Sequence, residues 1–395
     1  MEFLDILLLI GSAQGFFLAV FLLHRHRRLY ATRFLAALLF LYSVVLLHLF
    51  IGDRDWYHAA PRIMLVLSGL PLVTGPLHYL YARHLIDPAR RLRQKDAVHG
   101  IPYVVYLLAM LPLFLLPAES IIPALFRNSW YGFPRHFMVL NWVLVVQALS
   151  YLGATLLLLF RYEREVCDLF SCIERVRLTW LRNITLVVIS GWVAFLVENI
   201  LLVSGLHSPQ LFGMSGILGV VCVYAMGYLG LTASGVFSDP EVDASIREIA
   251  AKHERHVPES TPQRTARYEK SGLSAERAED IMHQLLDVME NERPHHDSDL
   301  TLPRLAKRLD ISPHNLSEVL NTRTGMNFFD FINSYRVDQV KRDLADPAKQ
   351  QYKVLALAFD AGFSSKTTFN TIFKKFTGMT PSEWREHAER VEQRA

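Results

Sequence analysis

Seven stretches of the chain, at 3–23, 34–51, 63–85, 98–116, 137–160, 184–203 and 211–233, are apolar for about the 20 residues that a helix needs to cross a bilayer core. Each is bounded by charged or turn residues. From residue 234 onward the pattern changes, charged residues take over, and no run is long enough to span. The chain therefore reads as two modules, and the expected fold class is all-α, a seven-helix transmembrane bundle joined by a linker to a soluble helical domain. The expected boundaries are 1–233 for the bundle, 234–274 for the linker and 275–395 for the soluble domain. Proline, serine and alternating charge mark the linker, with one short helix expected around 245–253. A flexible chain of that length reaches on the order of 35 Å.

In the soluble half the period changes to that of amphipathic helices. Within "LTLPRLAKRLDISPHNLSEVLN", Thr301 is placed to cap a helix with Pro303 in its first turn and Leu302, Leu305, Ala306 and Leu309 on one face. Ser312 is placed to cap a second helix with Pro313 at its first position, where Leu316, Val319 and Leu320 turn inward. His314, Ser317, Glu318 and Asn321 are expected to face outward. "KVLALAFDAGFSSKTTFNTIFKKF" repeats the plan. Val354, Leu355, Leu357 and Ala358 face one helix inward, Gly362 permits the turn, Ser364 or Ser365 caps, and Phe369, Ile372, Phe373 and Phe376 fill the next buried face. Between the units, Phe328, Phe331, Ile332, Tyr335 and Leu344 predict one continuous connecting helix.

Two helix-turn-helix units in tandem change the reading of the charge. The formal net charge of +3 decides nothing by itself. Across 300–385, however, thirteen Lys and Arg face eight Asp and Glu, which suits phosphate contact without a polybasic grip. An α-helix fits the major groove, and side chains such as Lys366, Thr367, Asn370, Thr371 and Lys374 hydrogen-bond base edges and phosphates. The expected DNA-contacting set is His314, Asn315, Ser317, Glu318 and Asn321 in the first unit, and Ser365, Lys366, Thr367, Asn370, Thr371 and Lys374 in the second. Recognition helices one DNA turn apart, roughly 34 Å, would enter successive major grooves.

Loop charge orients the apolar half. Arg25, Arg27, Arg28 and Arg33, then Arg90, Arg91, Arg93 and Lys95, then Arg161, Arg164, Arg175, Arg177 and Arg182 alternate with base-poor loops. The positive-inside rule puts the N-terminus outside and the C-terminal half in the cytoplasm. The first span is expected to be retained rather than cleaved, because no basic segment precedes it and "HRHRR" follows it. Polar groups inside spans are costly and so single out Asp5, His48, His78 and Glu198 as expected sensing residues. Gln14, Asn141, Gln147 and Asn199 are expected to bond between helices.

No catalytic, cofactor or metal site is expected. Cys167, Cys172 and Cys222 have no ligand spacing and read as reduced thiols. "GMSG" at 213–216 has the form of a membrane serine-protease motif, but no later span supplies a histidine, so close helix packing is the expected role of its small residues. The last span carries no lysine for a Schiff base.

"GFSSKTTFNTIFKKFTGMTPSEWR", with "LTLPRLAKRLDISPHNLSEVLN" and "GMNFFDFINSYRV" upstream, closely resembles the AraC family of bacterial transcription regulators over about residues 270–388. "GSAQGFFLAVFLLHRHRRLYATRFLAALLF", "GPLHYLYARHL" and "HGIPYVV" resemble the subgroup with a multi-span N-terminal region. His78 and Thr371 depart from that pattern, which expects an apolar residue and a long basic reader there. The resemblance implies a one-component regulator in the bacterial inner membrane, with promoter DNA and RNA polymerase as partners. A signal sensed by the membrane half, an unknown small molecule or the bilayer itself, would act through helix packing or homodimerisation. The competing reading is a transporter-like sensor or a membrane enzyme whose DNA-binding domain serves mainly autoregulation.

Overall fold

The computed structural model describes residues 3–26, 30–52, 56–87, 90, 92–126, 129–130, 133–173, 178–204, 214–233 and 273–392. Residues 234–272 of the expected linker, with its expected short helix, lie outside the described residues. The chain divides into two compact units, one of Met1–Arg161 with Leu178–Ala251 and one of Tyr162–Arg177 with Lys252–Ala395.

The described part of the first unit is helical apart from loops and a two-residue strand pair, Ser129–Trp130 with Phe133–Pro134. Its helices are α1 (Phe3–His26), α2 (Tyr30–Gly52), α3 (Trp56–Ala59), α4 (Pro61–Ser68), α5 (Pro71–Ile86), α6 (Ile101–Phe114), α7 (Ala118–Phe126), α8 (Arg135–Leu169), α9 (Thr179–Val203) and α10 (Met214–Ala233). Six helical stretches are long and apolar enough to cross a membrane, and Met214–Leu229 is a shorter apolar one. All seven expected stretches are thus helical, while only six reach full spanning length among the described residues. α1 packs on α2 and α10, α2 on α5, and α9 on α10. Leu38 and Leu39 are fully buried, whereas Phe17 is 63% exposed and Leu108 62% exposed. Apolar side chains of this size point outward as readily as inward, which suits a lipid surround.

The third expected span is two helices. A side chain on Gly69 would overlap the Tyr106 ring, and the Tyr106 hydroxyl donates to the Leu65 carbonyl at 2.6 Å, so α6 closes over the break between α4 and α5. Pro76 sits inside the unbroken α5. A proline leaves the carbonyl four residues back without its helical donor. That carbonyl belongs to Leu72, and the Gln147 amide donates to it at 2.9 Å.

In the second unit the helices are α11 (Ala275–Asn291), α12 (Leu302–Arg308), α13 (Pro313–Val319), α14 (Phe328–Ala345), α15 (Val354–Asp360), α16 (Lys366–Thr377) and α17 (Pro381–Glu392). α11, capped by Ser274, buries Ala278, Ile281, Leu285 and Met289, and Ala278 and Ile281 cluster with Val319 of α13. The expected connecting helix is α14, capped by Asn327, whose side chain accepts from the Asp330 amide. Last in the chain, "TPSE" forms a reciprocal cap, Glu383 accepting from the Thr380 amide at 2.7 Å and donating its own amide to the Thr380 hydroxyl at 3.3 Å.

Candidate functional site

Two tandem pairs, α12 with α13 and α15 with α16, carry the expected recognition helices. Thr301 caps α12 and Ser312 caps α13, each accepting from the amide three residues on. The turn between them passes through Asp310 at φ 51°, in the left-handed region. Leu316, Val319 and Leu320 are buried as the spacing predicts, and His314 is exposed. Asn315, Ser317 and Asn321 are half-buried, and the Asn321 amide donates to the Ser317 carbonyl at 2.8 Å. Glu318 departs from expectation. It is buried at 6% exposure, because the step from Leu316 to Val319 leaves it at the edge of the inward stripe.

The second pair keeps its polar face clear. Ser365, not Ser364, caps α16, accepting from the Thr368 amide at 3.3 Å. Lys366, Thr367, Asn370, Thr371 and Lys374 are all exposed on this helix, while Phe369, Ile372 and Phe373 are buried and Phe376 is half-buried. Phe363, Phe369, Phe373 and Trp384 form an edge-to-face series with centroids 5.2, 5.6 and 6.1 Å apart, which anchors α16 to α17 from behind. The turn ahead of α16 needs Gly362. Its φ is 99°, and a Cβ there would overlap the His295 carbonyl oxygen.

Several cations counted toward the basic surplus are committed elsewhere. Lys375 pairs with Asp330 at 2.7 Å, Lys349 with Asp343 at 2.6 Å and Arg323 with Glu279 at 3.2 Å. Arg336, counted in the same surplus, is 1% exposed. Its guanidinium donates to the carbonyls of His295 (2.7 Å), Asp297 (2.8 Å) and Ser171 (3.0 Å), to the Ser171 hydroxyl (3.1 Å) and to Asn333 Oδ1 (3.2 Å). It is a core residue, and its spacing within α14 is the one signal that would have shown it, since it sits four residues beyond Ile332 on the buried stripe.

In the first unit the expected sensing residues separate. An apolar cavity of about 210 Å³ is lined by His48, Ser68, Asn141, Trp192, Ser215 and their apolar neighbours. His48 lies 3.5 Å from the Ser68 hydroxyl. Glu198 reaches the cavity through Ser215, whose amide and hydroxyl donate to its carboxylate at 3.1 and 2.7 Å. Asn141 donates to Asn199 at 2.8 Å, an interhelical amide pair of the expected kind. His78 is elsewhere, fully buried, with Nε2 2.9 Å from the Thr185 hydroxyl, and Asp5 is half-buried outside the cavity lining. Sequence reasoning missed Ser215 as a partner of Glu198, although Ser215 stands between Gly213 and Gly216, small residues that allow close helix approach.

The family described as a helix-turn-helix domain matches residues 305–387. An HTH-type transcriptional regulator of Staphylococcus aureus (strain COL), itself uncharacterized, is 31% identical over 107 residues, 27% of this chain and 14% of that protein. The regulator YtdP of Bacillus subtilis (strain 168), also uncharacterized, is 32% identical over 94 residues, 23% of this chain and 12% of its own length. The chain thus spans only about 14% of the length of the first of these curated relatives. No solved structure matches it. With α12 to α16 in place over the matched residues, the chain carries an AraC-type helix-turn-helix domain, the DNA-binding part of a transcription regulator.

Proposed function

We propose that the chain is a membrane-tethered, sequence-specific transcription regulator. Residues 1–233 form a seven-span sensory bundle with its N-terminus outside, 234–274 a cytoplasmic linker, and 275–395 a domain that reads promoter DNA with both helix-turn-helix units. The observation that carries the reading is the face of α16, where five exposed polar side chains stand opposite a buried aromatic face in the part of the chain that matches a helix-turn-helix domain. Lys366, Thr367, Asn370, Thr371 and Lys374 make the second unit's contacts, with Ser365 fixing the helix end that enters the groove. His314, Asn315 and Ser317 make the first unit's contacts, and Asn321 and Glu318 support them from behind.

The cavity beside His48 and Ser215 supports a signal that is small and largely apolar with one hydrogen-bonding group, because its walls are apolar except at a few side chains. Signal binding would favour one packing of the helices, or one state of a homodimer, over another, and so alter promoter engagement and contact with RNA polymerase.

Genome-wide crosslinking of the full-length protein to DNA, beside a Thr367→Ala/Asn370→Ala variant and with membrane fractionation, tests this reading. Discrete promoter peaks lost in the variant, with both proteins in membranes, are expected. Identical peaks in both would sink the assignment of α16 as a reader.

A further inference from the structure

The second compact unit contains a segment from far upstream. Tyr162–Arg177 belongs to it, comprising the last turns of α8 and the start of the connection to α9. Tyr162, Val166, Leu169, Phe170, Ser171 and Ile173 are all buried, with Ser171 at 1% exposure. A polar loop between two spans has no need to bury a serine.

Ser171 is bound from several sides. Its amide and hydroxyl both donate to the Leu300 carbonyl, at 3.2 and 2.7 Å. Its carbonyl accepts from Arg336 at 3.0 Å and from Asn333 at 3.2 Å, and its hydroxyl accepts from Arg336 at 3.1 Å. Phe170 forms an antiparallel bridge with Thr301, the cap of α12. Cys172 Sγ lies 2.6 Å from the hydroxyl of Ser364, the residue before the cap of α16. Three consecutive residues thus touch one helix-turn-helix pair at its start, the connecting helix at its middle and the other pair in the turn before its recognition helix.

We propose that residues 170–173, between the expected fifth and sixth spans, are a docking element of the DNA-binding unit that braces its two helix-turn-helix pairs. Arg336 supplies the specificity. A guanidinium with five donors, buried in a core, requires fixed acceptors, and Ser171 provides two of them. The domain is then held to the membrane half twice, covalently through the linker and noncovalently through this segment. Cutting the linker alone does not free it. Undocking would loosen the spacing between the recognition helices, on which two-groove binding depends.

Ser364→Cys, in the full-length chain carrying a protease site inserted between Glu259 and Ser260, sets a thiol opposite Cys172. Membranes are oxidised with copper phenanthroline, cleaved and run without reductant. The two fragments are expected to stay joined until reductant is added, and to separate when Cys172→Ser is added to the same chain. Separation in the first variant, with both thiols alkylated by maleimide in parallel membranes, overturns the proposal.

A second arm needs no disulfide. After cleavage of the otherwise unmodified chain, the C-terminal fragment is expected to stay with washed membranes, and Ser171→Pro, which removes both the amide and the hydroxyl, is expected to abolish that retention. Equal release from both chains, or equal retention, also overturns it. The inference rests on the tethered reading for its cellular setting only. An uncleaved chain absent from membranes would sink that reading, while the disulfide would still report docking.

Discussion

The two units both bury leucines and differ in what they leave outside. In the first, small and neutral polar groups meet between helices while large apolar side chains such as Leu108 and Phe17 lie outside. In the second, phenylalanines and leucines fill the interior, and most charge lies outside, while Arg336 is enclosed by carbonyls and Glu318 and Asp343 are buried. With the first unit in a bilayer, as proposed, the difference follows from the solvent each unit meets. In lipid a leucine gains nothing by turning inward, so packing of small residues and a few hydrogen bonds hold helices together, whereas in water burial of apolar surface does that work.

Substitutions at matched places should separate the two regimes. Arg336→Ala is expected to have the largest effect, because hydrogen bonds to a charged group contribute about 1.5–3 kcal/mol each and the stranded carbonyls remain buried. Pulse proteolysis of the full-length protein would then find the C-terminal unit unfolded, and near-native resistance would refute the assigned role.

Leu108→Arg ranks next. On the outer surface of α6 a charge costs roughly 3 kcal/mol at a span centre, so membrane insertion should fail. Thr371→Arg, equally exposed on α16, should leave stability unchanged and alter only DNA binding. If both variants fold and insert alike, the contrast between the units is wrong.

Gly362→Ala should cost about 1–3 kcal/mol through its positive φ and the overlap with His295, read as a lower unfolding midpoint with the membrane half unaffected. Acid is expected to act on the same unit. Burial, and then the charges of His296 and Arg336, lower the pKa of His295 to about 4 from its ordinary 6.5. Between those values the unfolded chain binds a proton that the folded chain refuses, so stability falls as pH drops from about 6.5 toward 4 and does not change through this group above 6.5. His295→Gln should flatten that slope in a pH series of proteolysis midpoints. Ser215→Ala, which removes one bond to Glu198, should cost well under about 1 kcal/mol, in line with hydrogen bonds between membrane helices.

Much of this was legible from local pattern. Caps at Thr301, Ser312 and Ser365, the α14 stripe and the buried phenylalanines of α16 follow from positions three and four apart, which a helix brings to one face whatever surrounds it. The misreadings fall where that rule ends. Glu318 lies between the two faces of α13, so its burial depended on what packs alongside. Arg336 counted as one more basic residue because charge alone does not show that five acceptors, four of them from distant segments, converge on it. Pro76 is tolerated inside α5 with help from another helix, since Gln147 donates to the Leu72 carbonyl.

The sequence by itself therefore determined the two regimes, the helices, their caps and the double helix-turn-helix plan, since each is set by contacts within a few residues or by the bulk solvent a segment prefers. Only the tertiary structure decided which polar groups meet across long separations. Glu198 with Ser215, Gln147 with the Leu72 carbonyl, and Ser171 with Arg336, 165 residues apart, are pairings that no periodicity encodes, because they exist only once separate helices have packed.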